Sequence, residues 1–409
     1  MRRLLQRLAR CLFRGLFRVE LRGWEHYPHH EPRLLIVANH VSYLDGMLLA
    51  AFLPDLPVFV INTHVARQWW VKPFIAITRH ISVDPTTPHY LKTLIQHIQA
   101  GERVAVFPEG RLSLTGALMK IYEGPALAAD KADAALLPVY IEGAQYSLLS
   151  RLGGIARRRL FPRIRLTMLP PRRLSAPPGA SRVRRQQLGR QLDELMVELA
   201  YAGMNIDQPL FLALLEARER HGDGRIVLED AQRQCLDFRA LLTRAFILAE
   251  LLESDCAGQR NVGLLLPNAA AAVVALLGLH LRGQVPVLLN FTAGSHDLLA
   301  ACRTAQVRTV CTSRAFVATA NLDAHIAALA AQVTVLFLED LQPQATLPTR
   351  LRGLLRARLP TRSFRRMAGT VRADDPAVIL FTSGSEREPK WVVLSHRNLL
   401  ANVAHVRAV

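Results

Sequence analysis

The sequence predicts an α/β protein built as two successive α/β domains, and three observations carry that reading. Short apolar runs of strand length, at 34–38 and 103–107, each stop at a polar, loop-forming stretch. Segments of helical length alternate with them. Finally, Pro177-Pro178-Gly179 breaks the chain, and a second α/β series begins near Ile206.

Composition sets the frame. At 409 residues the chain has room for more than one domain, and 50% hydrophobic residues supply real cores. The formal charge is +18, and residues 1–175 alone hold 24 Lys+Arg against 12 Asp+Glu. Such a balance suits nucleic acid, an anionic membrane or an acidic protein. No nucleic-acid motif is present, and the basic residues lie among Leu and Phe, which points to a membrane surface. The five cysteines are odd in number and match no metal spacing, so they read as reduced thiols in a cytosol-facing protein.

In chain order, residues 1–18 form a helix with Arg3, Arg7, Arg10 and Arg14 on one face and Leu5, Leu8, Leu12 and Leu16 largely opposite. It is too charged to span a bilayer. It suits either the membrane interface or packing on its own domain. A strand at 34–38 follows, then a strand near 56–62, a helix near 65–78, a helix near 88–99 and the strand at 103–107. A helix near 118–131 and strands near 136–141 and 164–169 complete the first series. The stretch 151–173 holds eight arginines and no acid: a landing surface for anionic lipid or an acidic carrier protein, or a solvated face.

The candidate site lies in Asn39-His40-Val41-Ser42-Tyr43-Leu44-Asp45. His40 falls at the end of the 34–38 strand, and Asp45 at the start of a helix, from where its carboxylate can turn back to the imidazole. A carboxylate on one ring nitrogen fixes the tautomer and frees the other nitrogen to take a proton. No protein nucleophile accompanies the pair, so the nucleophile is inferred to be a substrate hydroxyl. The 103–107 strand opens into Pro108-Glu109-Gly110-Arg111, and two strands ending in polar loops suggest one site at one sheet edge.

Asn39-His40 to Asp45, followed by Phe107-Pro108-Glu109-Gly110 with Pro138 in a later strand, resembles the glycerolipid acyltransferase family typified by lysophosphatidate acyltransferase, over roughly residues 25–175. The resemblance implies His40 as general base, Asp45 as its orienting group, and Glu109, Gly110 and Arg111 as substrate-binding residues. Two departures stand out. Pro85 follows Asp84 where the family commonly has Arg, and Arg111-Leu112 replaces Thr-Arg. Both suggest an acceptor with a phosphodiester head group held mainly by Arg111.

The second series begins with helices near 211–220 and 238–252. Then come a strand and turn at 262–268, an apolar helix at 269–281 and a strand at 285–290. The run 262–281 approaches spanning length, but Pro267-Asn268 splits it, and strand-turn-helix explains it better. The stretch 349–372 carries eight arginines and no acid, and reads as a second membrane contact or a mobile basic loop. Near the end, Thr382-Ser383-Gly384-Ser385, with Lys390, follows an apolar strand and offers hydroxyls and backbone N–H groups to phosphate.

That last loop resembles the phosphate loop of adenylate-forming acyl synthetases, although Arg387 and Trp391 stand where the family has Gly. The two resemblances in this order are similar to bifunctional 2-acylglycerophosphoethanolamine acyltransferase/acyl-acyl-carrier-protein synthetases. The implied organisation is an amphipathic membrane-surface helix at 1–24, a glycerolipid acyltransferase α/β sandwich at 25–175, a linker helix at 176–205, and a truncated adenylate-forming α/β domain at 206–409. The implied activity moves an acyl group from acyl carrier protein to a lysophospholipid at the cytoplasmic face of a bacterial inner membrane, as a peripheral or monotopic protein. Lysophosphatidate acylation and a non-catalytic carrier-protein-binding module are the alternatives. Acyl transfer needs no cofactor. ATP with Mg belongs to a complete synthetase domain, and fatty-acid activation by this chain alone is not expected.

Overall fold

The computed structural model describes residues 2–69, 71–83, 89–154, 156–177, 180–382 and 390–408. They form two compact units, Met1–Met204 with Ala404–Val409, and Asn205–Val403.

The first unit contains α1 (Arg2–Phe17), β1 (Glu20–Arg22), β2 (Leu34–Ala38), α2 (Asp45–Phe52), β3 (Val58–Asn62), α3 (Thr63–Ala66), α4 (Lys72–Ile77) and β4 (Arg79–Val83). It continues through α5 (His89–Gln99), β5 (Val104–Val106), α6 (Gly124–Ala132), β6 (Ala135–Glu142), β7 (Arg165–Met168) and α7 (Ser181–Gly203). The strands make one sheet in the order β1-β7-β6-β2-β5-β3-β4, parallel except between β6 and β7. β2 is central and buried on both faces, which is why it reads as an unbroken apolar run. Leu34, Ile36 and Ala38 enter a core with α2 and Phe13 and Phe17 of α1; Leu35 and Val37 enter another with α5, α6 and α7.

Three expectations change. The helix near 65–78 is two short helices, because Pro73 restarts the chain at the first turn of α4. The helix near 118–131 begins only at Gly124-Pro125, because the preceding residues are tied to the β5 loop through Tyr122 N to Pro108 O at 2.9 Å. The expected linker helix, α7, packs Leu188, Leu192, Leu195, Met196 and Leu199 into the first unit's core instead of leading away from it.

α1 docks on α2 with one face only. Gln6 Nε2 donates to Ala50 O and Leu53 O, both at 2.9 Å, and Arg10 Nε donates to Ala51 O at 3.0 Å. Trp24 Nε1 adds a bond to Phe52 O at 3.2 Å, so the orphan carbonyls at the end of α2 find donors. Leu4, Leu5, Leu8, Leu12 and Leu16 remain exposed. Arg10 therefore turns inward, away from the arginine face expected of it.

The second unit contains α8 (Leu210–His221), β8 (Ile226–Glu229), β9 (Cys235–Asp237), α9 (Phe238–Leu251), β10 (Asn261–Leu264), α10 (Ala270–Leu281), β11 (Val285–Leu288), α11 (Ser295–Thr304) and β12 (Thr309–Thr312). Then follow α12 (Arg314–Thr319), α13 (Asp323–Ala330), β13 (Thr334–Phe337), α14 (Leu338–Leu341), α15 (Leu347–Arg358), α16 (Pro360–Ala368), β14 (Pro376–Thr382) and β15 (Lys390–Ser395); α17 (His396–Ala408) closes the chain. Six strands run β13-β12-β10-β11-β14-β15, parallel except the last pair. α11 and α13 contribute to the core on one face, and α9 and α10 to cores on the other. The apolar run at 262–281 is β10, a turn and the 12-residue α10, as the Pro267 break suggests. No helix among the described residues is long and apolar enough to cross a membrane. The basic stretch at 349–372, expected as a loop or a membrane contact, is helical over α15 and α16.

Candidate active site

β2 and β5 are parallel neighbours, so the loops after them emerge side by side at one sheet edge. Asn39 pins the first loop: its Nδ2 donates to Ile141 O at 3.0 Å, and its Oδ1 accepts from Ile141 N at 2.7 Å. The side-chain amide thus adds a rung to the β2–β6 ladder. His40 comes immediately after that rung.

His40 Nδ1 lies 2.9 Å from Asp45 Oδ2. The same oxygen accepts from Val41 N at 2.7 Å and Ser42 N at 2.8 Å, so Asp45 holds the loop as well as the ring. Asp45 is fully buried, and its Oδ1 has no partner among the described residues. Burial pushes its carboxyl above the ordinary range, against the opposing pull of His40 and the Ser42 and Val41 amides. With Nδ1 given to the carboxylate, Nε2 is the ring nitrogen left for a substrate, on a side chain that keeps 22% of its surface open. Phe107 stacks on the imidazole at 4.1 Å between centroids and 15° between planes.

Glu109 departs from expectation. It is 1% exposed, and its oxygens accept from His40 N at 2.8 Å and Met119 N at 3.1 Å. Those two bonds brace the backbone at His40. Burial pushes its carboxyl up to about 7, and the nearby Asp45 charge adds to the shift. Gly110 has φ +66, and a Cβ there would lie 3.2 Å from the Tyr122 ring. A glycine is therefore required for the turn itself. Arg111 is exposed and makes no ion pair among the described residues. Ser113 N closes the assembly on His40 O at 2.8 Å.

The structure therefore joins His40, Asp45 and Glu109 by hydrogen bonds, with Gly110 in the turn that follows Glu109 and Arg111 exposed next to it. Sequence reasoning missed Asn39, Phe107 and Ser113 as positioning groups. Asn39 and Phe107 flank the two strand ends, and a polar or aromatic residue at such a position is the signal that could have found them. Asp84 and Pro85 lie outside the described residues. The basic stretch 151–173 divides. Arg165 pairs with Glu20 and Glu142, Arg172 with Glu198, and Arg173 with Glu31 and Asp133, whereas Arg157 and Arg163 have no carboxylate partner among the described residues.

In the second unit, Ser383, Gly384 and Ser385 lie outside the described residues. Thr382 ends β14 and Lys390 begins β15, opposite one another across the antiparallel pair. No group of metal-ligating side chains occurs among the described residues. The cysteines are free, with Cys256, Cys302 and Cys311 buried and Cys11 and Cys235 exposed.

The His40–Asp45 pair, with Nε2 making no hydrogen bond among the described residues, is chemically able to take a proton from a substrate. Residues 18–142 match the family model Acyltransferase, and residues 214–409 match the family model AMP-binding enzyme. The two matches follow one another along the chain, the first within residues 1–204 and the second starting beyond them. It is 26% identical over 202 residues to the medium-chain-fatty-acid–[acyl-carrier-protein] ligase TtuA of Teredinibacter turnerae, an alignment covering 43% of this chain. The chain spans about a third of that relative's length, 31%. Among solved structures, the 1-acyl-sn-glycerophosphate acyltransferase PlsC of Thermotoga maritima aligns at 19% identity and TM-score 0.36, covering 47% of this chain and 80% of that one. The o-succinylbenzoate CoA synthetase MenE of Bacillus subtilis aligns at 20% and 0.33, covering 46% and 43%.

Proposed function

We propose that the first unit transfers a fatty acyl group from an acyl-carrier-protein thioester to the free hydroxyl of a lysophospholipid, at an anionic membrane surface. The carrying observation is the His40–Asp45 pair, with Nε2 on a partly open side chain and without a hydrogen bond among the described residues. His40 Nε2 takes the proton of the acceptor hydroxyl as its oxygen bonds to the thioester carbonyl. The tetrahedral adduct expels the carrier thiolate, which recovers the proton from Nε2. Asp45 keeps the proton on Nδ1 throughout and offsets the charge of the imidazolium. Glu109, Asn39 and Ser113 fix the backbone on either side, so the ring is held before substrate arrives.

Arg111 is the group proposed to meet the acceptor phosphate. A single arginine favours a phosphodiester such as 2-acylglycerophosphoethanolamine over the dianionic phosphate of lysophosphatidate. The exposed leucines of α1 support peripheral attachment to a membrane surface, which this reading takes as the cytoplasmic face of a bacterial inner membrane. In the second unit an AMP-binding domain implies ATP use. The hydroxyls of Thr382, Ser383 and Ser385, the backbone at Gly384 and the charge of Lys390 are chemically suited to its phosphates. In a complete synthetase domain, bound ATP would supply the AMP that activates a fatty-acid carboxylate, with pyrophosphate as the leaving group.

The test incubates the purified chain with acyl carrier-protein thioester and a panel of lysolipids. Ester formation that requires His40 supports the proposal. Carrier binding without any turnover would replace it with the non-catalytic module, and a clear preference for lysophosphatidate would replace the acceptor.

A further inference from the structure

A leucine face on the second unit has no role in its fold. α15 packs against α9 through Thr349, Gly353 and Ala357, its buried residues. The approach is close: a Cβ on Gly353 would come within 2.4 Å of Ile247 Cγ1. That contact and the ion pair of Arg356 with Glu250 fix which face of α15 turns inward. The outward face then carries Leu347 at 71% exposure, Leu351 at 50%, Leu354 at 46% and Leu355 at 63%, with Leu359 at 61% just past the helix end. Their spacing is i, i+4, i+7, i+8 and i+12, a single stripe on an α-helix.

Arginines border this stripe. Arg350 and Arg352 fall on its two sides, Arg358 at its C-terminal end, and Arg362, Arg365 and Arg366 on the adjoining α16. No Asp or Glu occurs between Asp340 and Asp374. Among the described residues Arg358, Arg362, Arg365 and Arg366 have no carboxylate partner, and Arg350 reaches only Ala345 O, at 2.9 Å. The leucines call for a non-aqueous neighbour and the arginines for anions, in one continuous surface. A phospholipid head-group boundary supplies both at the matching depth.

We propose that α15 is an interfacial helix, which lays its leucine stripe into the surface of an anionic bilayer with the flanking arginines on lipid phosphates. An acidic protein would satisfy the arginines, but not a convex stripe of leucines rimmed on both sides by charge. The proposal concerns the second unit and does not rest on the acyl-transfer reading of the first.

The test uses the full chain and phosphatidylcholine vesicles containing about a third phosphatidylglycerol, with flotation as readout. Leu351→Gln/Leu355→Gln and Arg358→Glu/Arg362→Glu should each weaken partitioning by about tenfold. Their thermal unfolding should match the unaltered protein, because the side chains are exposed. A third variant, Leu355→Trp, keeps an apolar side chain, and its emission should move to the blue on vesicle addition, beyond any change in the unaltered protein. Unchanged partitioning of both double variants, or a silent tryptophan, overturns the proposal. So does a blue shift produced by an acidic carrier protein while vesicles leave it silent, which marks protein docking. A shift that grows with protein concentration alone marks self-association and overturns it too.

Discussion

Glu109 offers the sharpest test of the site's construction. Its carboxyl is raised from 4.5 to about 7 by burial, so the folded protein keeps a proton that the unfolded chain releases between those values. The sign follows from linkage. Wherever the native state binds more protons than the unfolded state, stability falls as pH rises. The first unit should therefore lose stability from about pH 4.5 to about 7 and then level off with respect to this group. A shift of that size corresponds to a change of roughly 3 kcal/mol across the window. Glu109→Gln removes the titration and also leaves one of two backbone donors, His40 N or Met119 N, without an acceptor, at a cost of about 1–3 kcal/mol. The gap between the two proteins should thus shrink by roughly 3 kcal/mol as pH rises through the window. Urea titrations read by hydrogen exchange of β2 and β5 peptides report the first unit alone. Parallel pH dependences for the two proteins would refute the reasoning, and Glu109 would then be an ordinary ionised hydrogen-bond acceptor.

The remaining expectations concern turnover and attachment. His40→Ala should lower acyl transfer by about 10²–10⁴-fold with unchanged unfolding, measured with carrier-protein thioester and lysophospholipid; near-normal turnover would remove His40 from the chemistry. Asp45→Asn should lower kcat strongly, because an amide can hold the wrong ring tautomer, and pH–rate profiles compare the two. Arg111→Ala should raise KM for the acceptor by about tenfold with kcat largely kept, the loss of one charge-assisted contact. Leu8→Gln/Leu12→Gln on α1 should reduce sedimentation with anionic liposomes, most clearly at high salt where the arginines are screened.

Much of the site was legible because its chemistry is local. His40 and Asp45 sit five residues apart at a strand end and a helix start, and both positions follow from the apolar pattern of 34–38. The role of Glu109 was not legible: its partners are the amides of His40 and Met119, and no periodicity reveals that a carboxylate folds back on a neighbouring strand's exit loop. The linker reading of α7 failed because its charges are spread along the chain, while Leu188, Leu192, Leu195 and Leu199 make a narrower stripe. In 349–372 the arginines masked a helix whose inward face consists of Thr349, Gly353 and Ala357, residues small enough to carry almost no hydrophobic signal.

α2 has eight residues, too few to persist as a helix in water, so both of its ends depend on outside help. Its first residue is Asp45, and its last carbonyls are held by Gln6, Arg10 and Trp24. A protease that cut after Phe17 and released the leading peptide would remove two of those three donors. Fraying would then start two turns from the His40–Asp45 pair and propagate to it. Such a cleavage should leave every catalytic residue in the chain and still lower turnover, and peptide mapping would show an intact His40–Asp45 segment in an impaired enzyme. Limited digestion should therefore turn the proposed activity down from a distance.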